Sequence, residues 1–316
     1  MSASPFASPF PAFPVIFAFL SFCHFLRGSS AFLLRSSAIQ NVRMPFSCTA
    51  AVSSSVHPVS SKGFDADADR YDRARPGYPQ DVVDSLLDKI KPQKILEIAS
   101  GTGKLTRALV DYKTRKGADF DITAVEPSVE MRKVFEASFP DIPILDASAR
   151  SLPFESEAFD VVLVGQAFHW FADETVLREL ARVCKKGGWL YLIWNLEDAD
   201  RAQWVKRLRA LHEPLEGDAP QFRQGRWRNV WQTETASELF LPLDEKVSAS
   251  FALEANRSLL WQRVLSRSYV ACLSAEKQEA LRKEAMQMLD EEGVPDGDQN
   301  TFPYPYTTTV ACAQKR

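Results

Sequence analysis

Residues 95–109 read "ILEIASGTGKLTRAL", an apolar run that ends in a turn with two glycines and continues into a second apolar segment. A phosphate-binding loop of the type G-x-x-x-x-G-K-[ST] would need a glycine where Ile98 stands and a hydroxyl where Leu105 stands. A dinucleotide-binding fingerprint that begins at Gly101 would need a third glycine where Thr106 stands. The first template is therefore excluded, and the second fits poorly.

The pattern that does fit is a strand, an acidic residue, a glycine-containing turn and a helix. Glu97 lies at the end of the apolar strand, two residues before the turn at residues 99–103. A carboxylate in this place suits a ligand that brings a cation beside the turn, and it would repel a pyrophosphate. The sequence therefore predicts a site for a ligand that carries a positive charge.

Apolar strands alternate with helices on both sides of this stretch. Strands are predicted at residues 94–99, 122–126, 144–146, 161–165 and 189–195, and helices at residues 81–90, 105–112, 128–139 and 173–184. Continuous apolar strands separated by helices indicate a parallel sheet that is covered on both faces. Ligands bind such a sheet at the edge where its strands end. Later residues predict helices at 201–211, 258–273 and 275–291, with strands at 246–253 and 307–313 that complete the sheet.

Charge and cysteine content restrict the class of protein. The 316 residues carry a net charge of −3, and the first 64 residues contain four basic and no acidic residues, so the remainder carries about −7. An acidic body without a basic stripe argues against a nucleic-acid partner. None of the five cysteines forms a C-x-x-C pair, so the sequence predicts no metal site and no disulfide framework.

The first 61 residues have the composition of a targeting leader. Residues 10–26 form an apolar run that is marginal for a bilayer span and is interrupted by Pro11 and Pro14. The "GSSAFLLRSS" of residues 28–37 resembles the junction in two-part plastid leaders of algae with secondary plastids. We expect residues 1–61 to be a leader for an organelle such as a plastid. The alternatives are a disordered N-terminal extension and a cytoplasmic protein.

Five motifs, in order, resemble those of class I S-adenosylmethionine-dependent methyltransferases, specifically the methyltransferase type 11, trans-aconitate methyltransferase-like small-molecule group. They are "YDRARPGYP" (71–79), "ILEIASGTGKLTRAL" (95–109), "AVEPSVEM" (124–131), "SARSLPFESEAFDVVLVGQAFHWF" (148–171) and "LARVCKKGGWLYLIWN" (180–195). The resemblance implies an α/β, Rossmann-like fold with a mainly parallel seven-stranded sheet and helices on both faces. It places the methyltransferase domain at residues 62–316, with its core at 92–196 and the substrate or lid helices and last two strands at 197–316.

The resemblance also implies S-adenosyl-L-methionine as the cofactor and assigns residues to its parts. Glu97 would lie near the methionine amino group, and Gly101 and Gly103 would let the backbone approach the ligand. The family usually has glycine where this chain has Ala99. Glu126, at the end of the second strand, would accept both ribose hydroxyls; the alternative is a solvated carboxylate at a strand end.

Further cofactor contacts follow from the same resemblance. Ser148 and Ala149 match positions that flank the adenine, and Gln166 would lie beside the methionine part. Tyr71 and Arg75 would close over the cofactor as part of a lid. The alternative for these two residues is the packing of an N-terminal arm.

The expected methyl acceptor is a small molecule, with a carboxylate oxygen favoured because it needs no general base. His169 is the candidate catalytic base or substrate contact, although it is also explained as a residue packed beside Trp170. No [DN]-P-P-[YF] motif follows the fourth strand, which argues against methylation of exocyclic adenine or glutamine nitrogens. We expect no stable membrane insertion of the body, and the sequence does not indicate an oligomeric state.

The region after residue 217 offers two kinds of acceptor pocket. One is an anion-recognising patch, and the other is a lipid-like pocket of apolar side chains. The anion-recognising patch would consist of the arginines around Trp227, namely Arg223, Arg226 and Arg228. The lipid-like pocket would be lined by Trp231, Phe240 and Leu241. The arginines are equally explained as a solvated surface.

Two other functions compete with a methyltransferase. One is an NAD-dependent oxidoreductase. It is opposed by Thr106, which stands where the fingerprint needs a third glycine, and by the carboxylate of Glu97 beside the turn. The other is a catalytically degenerate methyltransferase fold that serves as an interaction module, which only Ala99 supports.

Overall fold

The computed structural model describes residues 68–297 and 299–316. The predicted leader and its boundary with the body lie outside these residues. In chain order the elements of the first half are α1 (Ala68–Ala74), α2 (Gln80–Ile90), β1 (Lys94–Ile98), α3 (Lys104–Lys116), β2 (Asp121–Val125), α4 (Val129–Ser138), β3 (Ile144–Leu145), β4 (Phe159–Gly165), α5 (Glu174–Val183) and β5 (Cys184–Glu197). The second half contains α6 (Gln203–His212), α7 (Glu234–Leu239), β6 (Asp244–Ala255), α8 (Arg257–Leu265), α9 (Ser268–Ala271), α10 (Ala275–Glu291) and β7 (Phe302–Gln314).

The strands form one seven-stranded sheet in the order β3-β2-β1-β4-β5-β7-β6. The first five strands in this order are parallel, and β7 runs antiparallel to both β5 and β6. The predicted fold class is therefore confirmed. From β1 the chain adds β2 and β3 toward one edge of the sheet and then adds β4 and β5 on the other side of β1. The point between β1 and β4 is therefore a topological switch point, where open α/β sheets bind ligands.

The two faces of β1 pack against different helices because successive side chains of a strand point to opposite sides. Leu96 and Ile98 pack in a cluster with Leu177 of α5. Ile95 packs in a second cluster with Leu87 of α2 and with α3. A third cluster joins α6, α8 and α10 to β6 and β7. The apolar run that suggested a buried strand is thus covered on both sides.

The sequence located most elements but misplaced several ends. The helix predicted at residues 258–273 is two helices, α8 and α9, which are separated at Ser266 and Arg267. Strand β7 begins five residues before its predicted start, because Pro303 and Pro305 resemble loop residues and cannot donate to a ladder. Helices α1 and α7 and the short 3₁₀ segments between residues 213 and 232 were not predicted.

The described residues contain neither a membrane-spanning helix nor a cluster of metal-ligating side chains. No helix there is long and apolar enough to cross a membrane. Likewise, in that part of the chain no three histidine, cysteine or acidic side chains come together as a metal site would require.

Candidate functional site

The glycine turn lies between β1 and α3, at the point where the strand order switches. Gly101 and Gly103 have φ values of +57° and +87°, which glycine adopts without the steric cost of a Cβ. A Cβ on Gly103 would stand 2.3 Å from Cε2 of Phe139, so this glycine also allows α4 to pack close to the turn. The turn is tied to β2 by the N–H of Ser100, which donates to the carbonyl of Val125 at 3.1 Å.

Ala99 is in the same left-handed region, with φ of +52°. This conformation costs a residue with a Cβ about 1–2 kcal/mol. The observation explains why glycine is usual at this position in the family that the motifs resemble.

We predict that Ala99→Gly raises the free energy of unfolding by up to about 1 kcal/mol. The relief of the left-handed strain exceeds the extra unfolded-state entropy of glycine, which is about 0.4–1 kcal/mol. The substitution should leave the affinity for S-adenosylhomocysteine unchanged or slightly higher. Thermal unfolding and calorimetry measure both quantities. Ala118→Gly is the control, since Ala118 has no positive φ and its replacement should destabilise the fold. A large loss of affinity in Ala99→Gly would mean that the methyl group of Ala99 positions the ligand.

The carboxylate of Glu126 holds the turn in place. Its Oε2 accepts a hydrogen bond from the N–H of Gly101 at 2.9 Å, and its Oε1 accepts one from the N–H of Ser128 at 2.9 Å. Only 7% of Glu126 is exposed, so the alternative of a solvated carboxylate is wrong. Arg132 donates to the backbone oxygen of Glu126 at 2.6 Å and also bonds Asp146 at 2.9 Å. The acidic group therefore lies fixed at the end of β2, against the glycine turn.

Glu97 is the most deeply buried acid near the turn, with 1% of its surface exposed. The hydroxyl of Thr106 donates to Oε2 of Glu97 at 2.5 Å. Burial raises the pKa of Glu97 to about 8, against the lowering effect of the Thr106 hydrogen bond and with a further rise from the charge of Glu126. Within the described residues Glu97 has no ion-pair partner. It is therefore mostly protonated at pH 7 and could accept a cation by releasing its proton.

An arm at residues 75–79 lies across the ends of β4 and β5. Nδ2 of Asn195 donates to the carbonyl of Gly77 at 2.9 Å, and Oδ1 of Asn195 accepts from the hydroxyl of Thr308 at 2.7 Å. The Tyr78 hydroxyl stands 2.5 Å from where a Cβ on Gly165 would lie. The glycine that ends β4 is thus needed for the close approach of the arm.

Gln166 follows β4 and is bound to the same group of residues. Its backbone φ is +58°, its N–H donates to the carbonyl of Ile193 at 2.8 Å, and its Nε2 donates to the carbonyl of Asn195 at 2.7 Å. Gln166 and Glu97 therefore lie at the carboxyl ends of neighbouring strands, β4 and β1. Sequence reasoning missed Asn195, for which the only signal was a polar residue closing an apolar strand.

Residues 96–192 match the model of a methyltransferase domain family. They form a methyltransferase domain. The identification agrees with a site that combines a glycine turn, an acid at the end of β2 and a buried acid in β1. The NAD-dependent oxidoreductase is not favoured by this match.

Two curated relatives are similar to the chain over about half of its length. An uncharacterized methyltransferase-like protein of Schizosaccharomyces pombe is 34% identical over 176 residues, which are 55% of this chain and 66% of that protein. An uncharacterized methyltransferase of the same yeast is 38% identical over 157 residues, which are 49% of this chain and 60% of that protein. The chain thus spans less than two thirds of the length of either relative.

A solved structure shares the fold of the methyltransferase domain. It is a candidate type II methyltransferase from Anaeromyxobacter dehalogenans, with a TM-score of 0.54 and 18% identity. The similarity covers 77% of this chain and 97% of that one. At 18% identity this similarity supports the fold and carries no information about the methyl acceptor.

The predicted lid residues Tyr71 and Arg75 belong to helix α1 and to the arm that follows it. The Arg75 guanidinium lies 4.9 Å from the centroid of the Tyr71 ring, and it donates to the hydroxyl and carbonyl oxygens of Ser266 at 3.0 and 2.9 Å. The residue of α1 that reaches the glycine turn is Asp72, whose Oδ1 accepts from the hydroxyl of Thr102 at 2.8 Å. That Tyr71 and Arg75 close over the cofactor stays a prediction.

Ser148 and Ala149 follow β3, at the same edge of the sheet as the turn. Ser148 and Ser151 form a turn in which the N–H of Ser151 donates to the carbonyl of Ser148 at 3.0 Å. Ala149 is buried in a cluster with Leu152. Their predicted place beside the adenine stays a prediction.

His169 lies in a 3₁₀ turn after β4, and its side chain is partly exposed. Its Nδ1 is 3.2 Å from Nε1 of Trp194, which is a donor only, so this hydrogen bond assigns the proton of the neutral ring to Nε2. Burial, and secondarily the charge of Arg75, lowers the pKa of His169 to about 3. Such a histidine is a poor proton acceptor at neutral pH. Of its two predicted roles, a substrate contact through Nε2–H fits better than a general base.

The arginine-rich segment is neutralised by carboxylates of the same chain. Arg223 is paired with Glu213 at 2.9 Å and with Glu216, and Arg228 donates to Glu245 at 2.7 Å. Trp227 and Phe240 are buried in the main core cluster instead of lining an open pocket. Neither the anion-recognising patch nor the lipid-like pocket predicted here is supported.

Proposed function

We propose that the chain is an S-adenosylmethionine-dependent methyltransferase that acts on a small molecule, with a carboxylate oxygen as the favoured acceptor. The observation that carries the proposal is Glu97, a buried carboxyl group without an ion-pair partner among the described residues, beside a turn held by Glu126. The methionine amino group of the cofactor would supply the missing cation. The sequence resemblance to the trans-aconitate methyltransferase-like group supports a small acceptor.

The chemistry of a carboxylate acceptor agrees with the weak basicity of His169. Bound S-adenosylmethionine would supply an activated methyl group, and the bond from this group to sulfur would break with the electron pair remaining on sulfur. A carboxylate oxygen forms the new bond to carbon without losing a proton, so no general base is needed. The chain then has to orient the acceptor and exclude water. In this proposal the arm at residues 75–79 does this, and the hydrogen bond from Asn195 to the carbonyl of Gly77 supports the role by fixing the arm over the ends of β4 and β5.

Methyl transfer can be tested with S-adenosylmethionine carrying a deuterated methyl group and a metabolite extract. We expect at least one extract component to gain the labelled methyl group, detected by mass spectrometry, and ester hydrolysis to release it as labelled methanol. The Glu97→Gln variant is the matched control and should label little or nothing. A label that resists hydrolysis would exclude the carboxylate acceptor, and no labelling together with no binding of S-adenosylhomocysteine would contradict the proposed activity.

We also propose that residues 1–61 direct the protein to an organelle, which their acid-free composition and apolar run support. A fluorescent protein fused to these residues should concentrate in an organelle. The same fusion without residues 10–26 should be diffuse. A diffuse cytosolic signal from the full leader would contradict the proposal.

A further inference from the structure

A buried ion cluster lies where β5 ends. Glu197, the last residue of β5, is 1% exposed, and its Oε1 is 2.6 Å from Nη2 of Arg263 and 2.7 Å from Nη2 of Arg267. The side chains of the two arginines are 3% and 11% exposed. Two guanidinium groups therefore share one oxygen of a single carboxylate in the interior of the protein.

Arg75 adds a third positive charge to this cluster. Its Nε donates to the hydroxyl oxygen of Ser266 at 3.0 Å, and Nη1 of Arg263 donates to the same oxygen at 3.3 Å. The two guanidinium groups are thus neighbours, and no carboxylate of the described residues lies within ion-pair distance of Arg75. Burial and the charge of Arg263 lower the pKa of Arg75 to about 10.

Nearby groups leave this positive charge unbalanced. Glu213 is already paired with Arg209 at 2.7 Å and with Arg223 at 2.9 Å. Burial lowers the pKa of His212 well below its usual value, so that ring is neutral. Within the described residues, three guanidinium groups therefore face one carboxylate. In addition, Nε of Arg267 is buried without a hydrogen-bond partner there, as is Oε2 of Glu197. Unpaired charge is costly in a protein interior, and an oxyanion would compensate it.

The cluster adjoins the proposed site of methyl transfer. Arg75 lies in the arm two residues before Gly77, whose carbonyl accepts a hydrogen bond from Asn195 of β5. Glu197 follows Asn195 by two residues, and the carbonyl of Asn195 accepts a hydrogen bond from Gln166, which follows β4. A ligand that binds the three arginines would therefore be held next to the end of β4. It would also connect the arm, through Arg75, to helix α8 through Arg263 and to the start of helix α9 through Arg267.

We propose that Arg75, Arg263 and Arg267 form an oxyanion subsite that binds a negatively charged group of the methyl acceptor and fastens the arm at residues 75–79 to the C-terminal helices. This inference rests on the proposed methyltransferase function. Glu197 orients Arg263 and Arg267, and the free donors of the cluster bind the anion. Because the arm covers the ends of β4 and β5, next to the proposed cofactor site, anion binding and cofactor binding should strengthen each other.

The test uses the full chain and three probes, succinate, inorganic phosphate and inorganic sulfate, with neutral succinamide as the uncharged counterpart of succinate. Binding of S-adenosylhomocysteine is measured first by calorimetry, and its absence would contradict the proposed function. With that ligand bound and ionic strength held constant with sodium chloride, at least one of the anions should bind and raise the melting temperature, whereas succinamide should not. Preference for succinate would indicate a carboxylate on the acceptor, and preference for phosphate a phosphorylated acceptor.

Substitutions assign the binding to the cluster. Arg267→Met should weaken the preferred anion about tenfold or more, because it removes charge-assisted hydrogen bonds. Arg226→Met removes the same charge from an exposed position and should leave anion binding unchanged. If Arg267→Met does not fold, Arg75→Gln serves in its place, since Arg75 is partly exposed and, among the described residues, its side chain donates hydrogen bonds to Ser266 alone. The subsite is contradicted if S-adenosylhomocysteine binds but no anion does, or if Arg226→Met loses as much affinity as the cluster variant.

Discussion

Glu126→Ala is expected to weaken the binding of S-adenosylhomocysteine by about ten- to more than a hundredfold. The carboxylate would make two charge-assisted hydrogen bonds to the ribose hydroxyls, and losing such bonds costs about 1.5–3 kcal/mol. The folded protein adds a second reason for a large effect. The same carboxylate accepts hydrogen bonds from the N–H groups of Gly101 and Ser128, so its loss also releases the glycine turn.

Two further variants separate these contributions. Glu126→Gln keeps one acceptor oxygen and should lose less affinity than Glu126→Ala. Glu130→Ala removes an exposed carboxylate of α4 that bonds Lys133 at 2.8 Å, and it should bind the ligand as the natural protein does. Calorimetric affinities decide between these outcomes. If Glu126→Ala binds with unchanged affinity, the ribose is held elsewhere.

The parts of the site that could be predicted from the sequence are those built by neighbouring residues. Glu97 lies in the strand next to the glycine turn, and Glu126 follows the next strand, so the alternation of strands and helices placed both at one edge of a parallel sheet. The positive φ of Ala99 likewise follows from the geometry of a short turn. In these cases local pattern and tertiary structure require the same arrangement.

The parts that could not be predicted depend on pairs that are distant in the chain. The hydrogen bond from Asn195 to Gly77 spans 118 residues, and the one from Arg75 to Ser266 spans 191 residues. Neither periodicity nor turn chemistry specifies such a pair. The arginines illustrate the same limit, because Arg223 and Arg228 stand out as a run in the sequence but are neutralised in the fold. The unbalanced positive charge comes instead from arginines in separate elements.

Glu97→Gln is expected to change stability and cofactor binding in opposite directions. The unfolded chain ionises a glutamate near its usual pKa of 4.5, whereas folded Glu97 keeps its proton up to a pKa of about 8. The folded state therefore binds more protons in this interval, and the contribution of Glu97 to stability falls as pH rises from about 4.5 to 8. At pH 7 the loss amounts to at most about 3 kcal/mol. Glutamine does not titrate, so at pH 8 the ligand-free variant should melt at a higher temperature than the natural protein. At pH 4.5 the two melting temperatures should differ little.

The same substitution should remove affinity for the cofactor. Glu97 can meet the methionine amino group as a carboxylate only after it loses its proton. Binding of S-adenosylhomocysteine by the natural protein should therefore release a proton at pH 7 and weaken by up to about tenfold per pH unit as pH falls from 8 to 6. Glu97→Gln should bind at least about tenfold more weakly at pH 8 and show no such pH dependence, because its side chain cannot ionise.

Calorimetry in two buffers with different ionisation enthalpies measures the proton release, and thermal unfolding between pH 4.5 and 8 measures the stability. The combination separates a ligand-binding acid from one that only packs. If Glu97 only packs and bonds Thr106, its substitution should lower the stability of the protein and leave the affinity for S-adenosylhomocysteine unchanged. If Glu97→Gln is less stable at pH 8 and binds S-adenosylhomocysteine normally, Glu97 supports the strand and the cation lies elsewhere. We expect instead that Glu97→Gln is more stable at pH 8 and binds S-adenosylhomocysteine more weakly. The reason is that a carboxyl group buried without a cation destabilises the ligand-free protein.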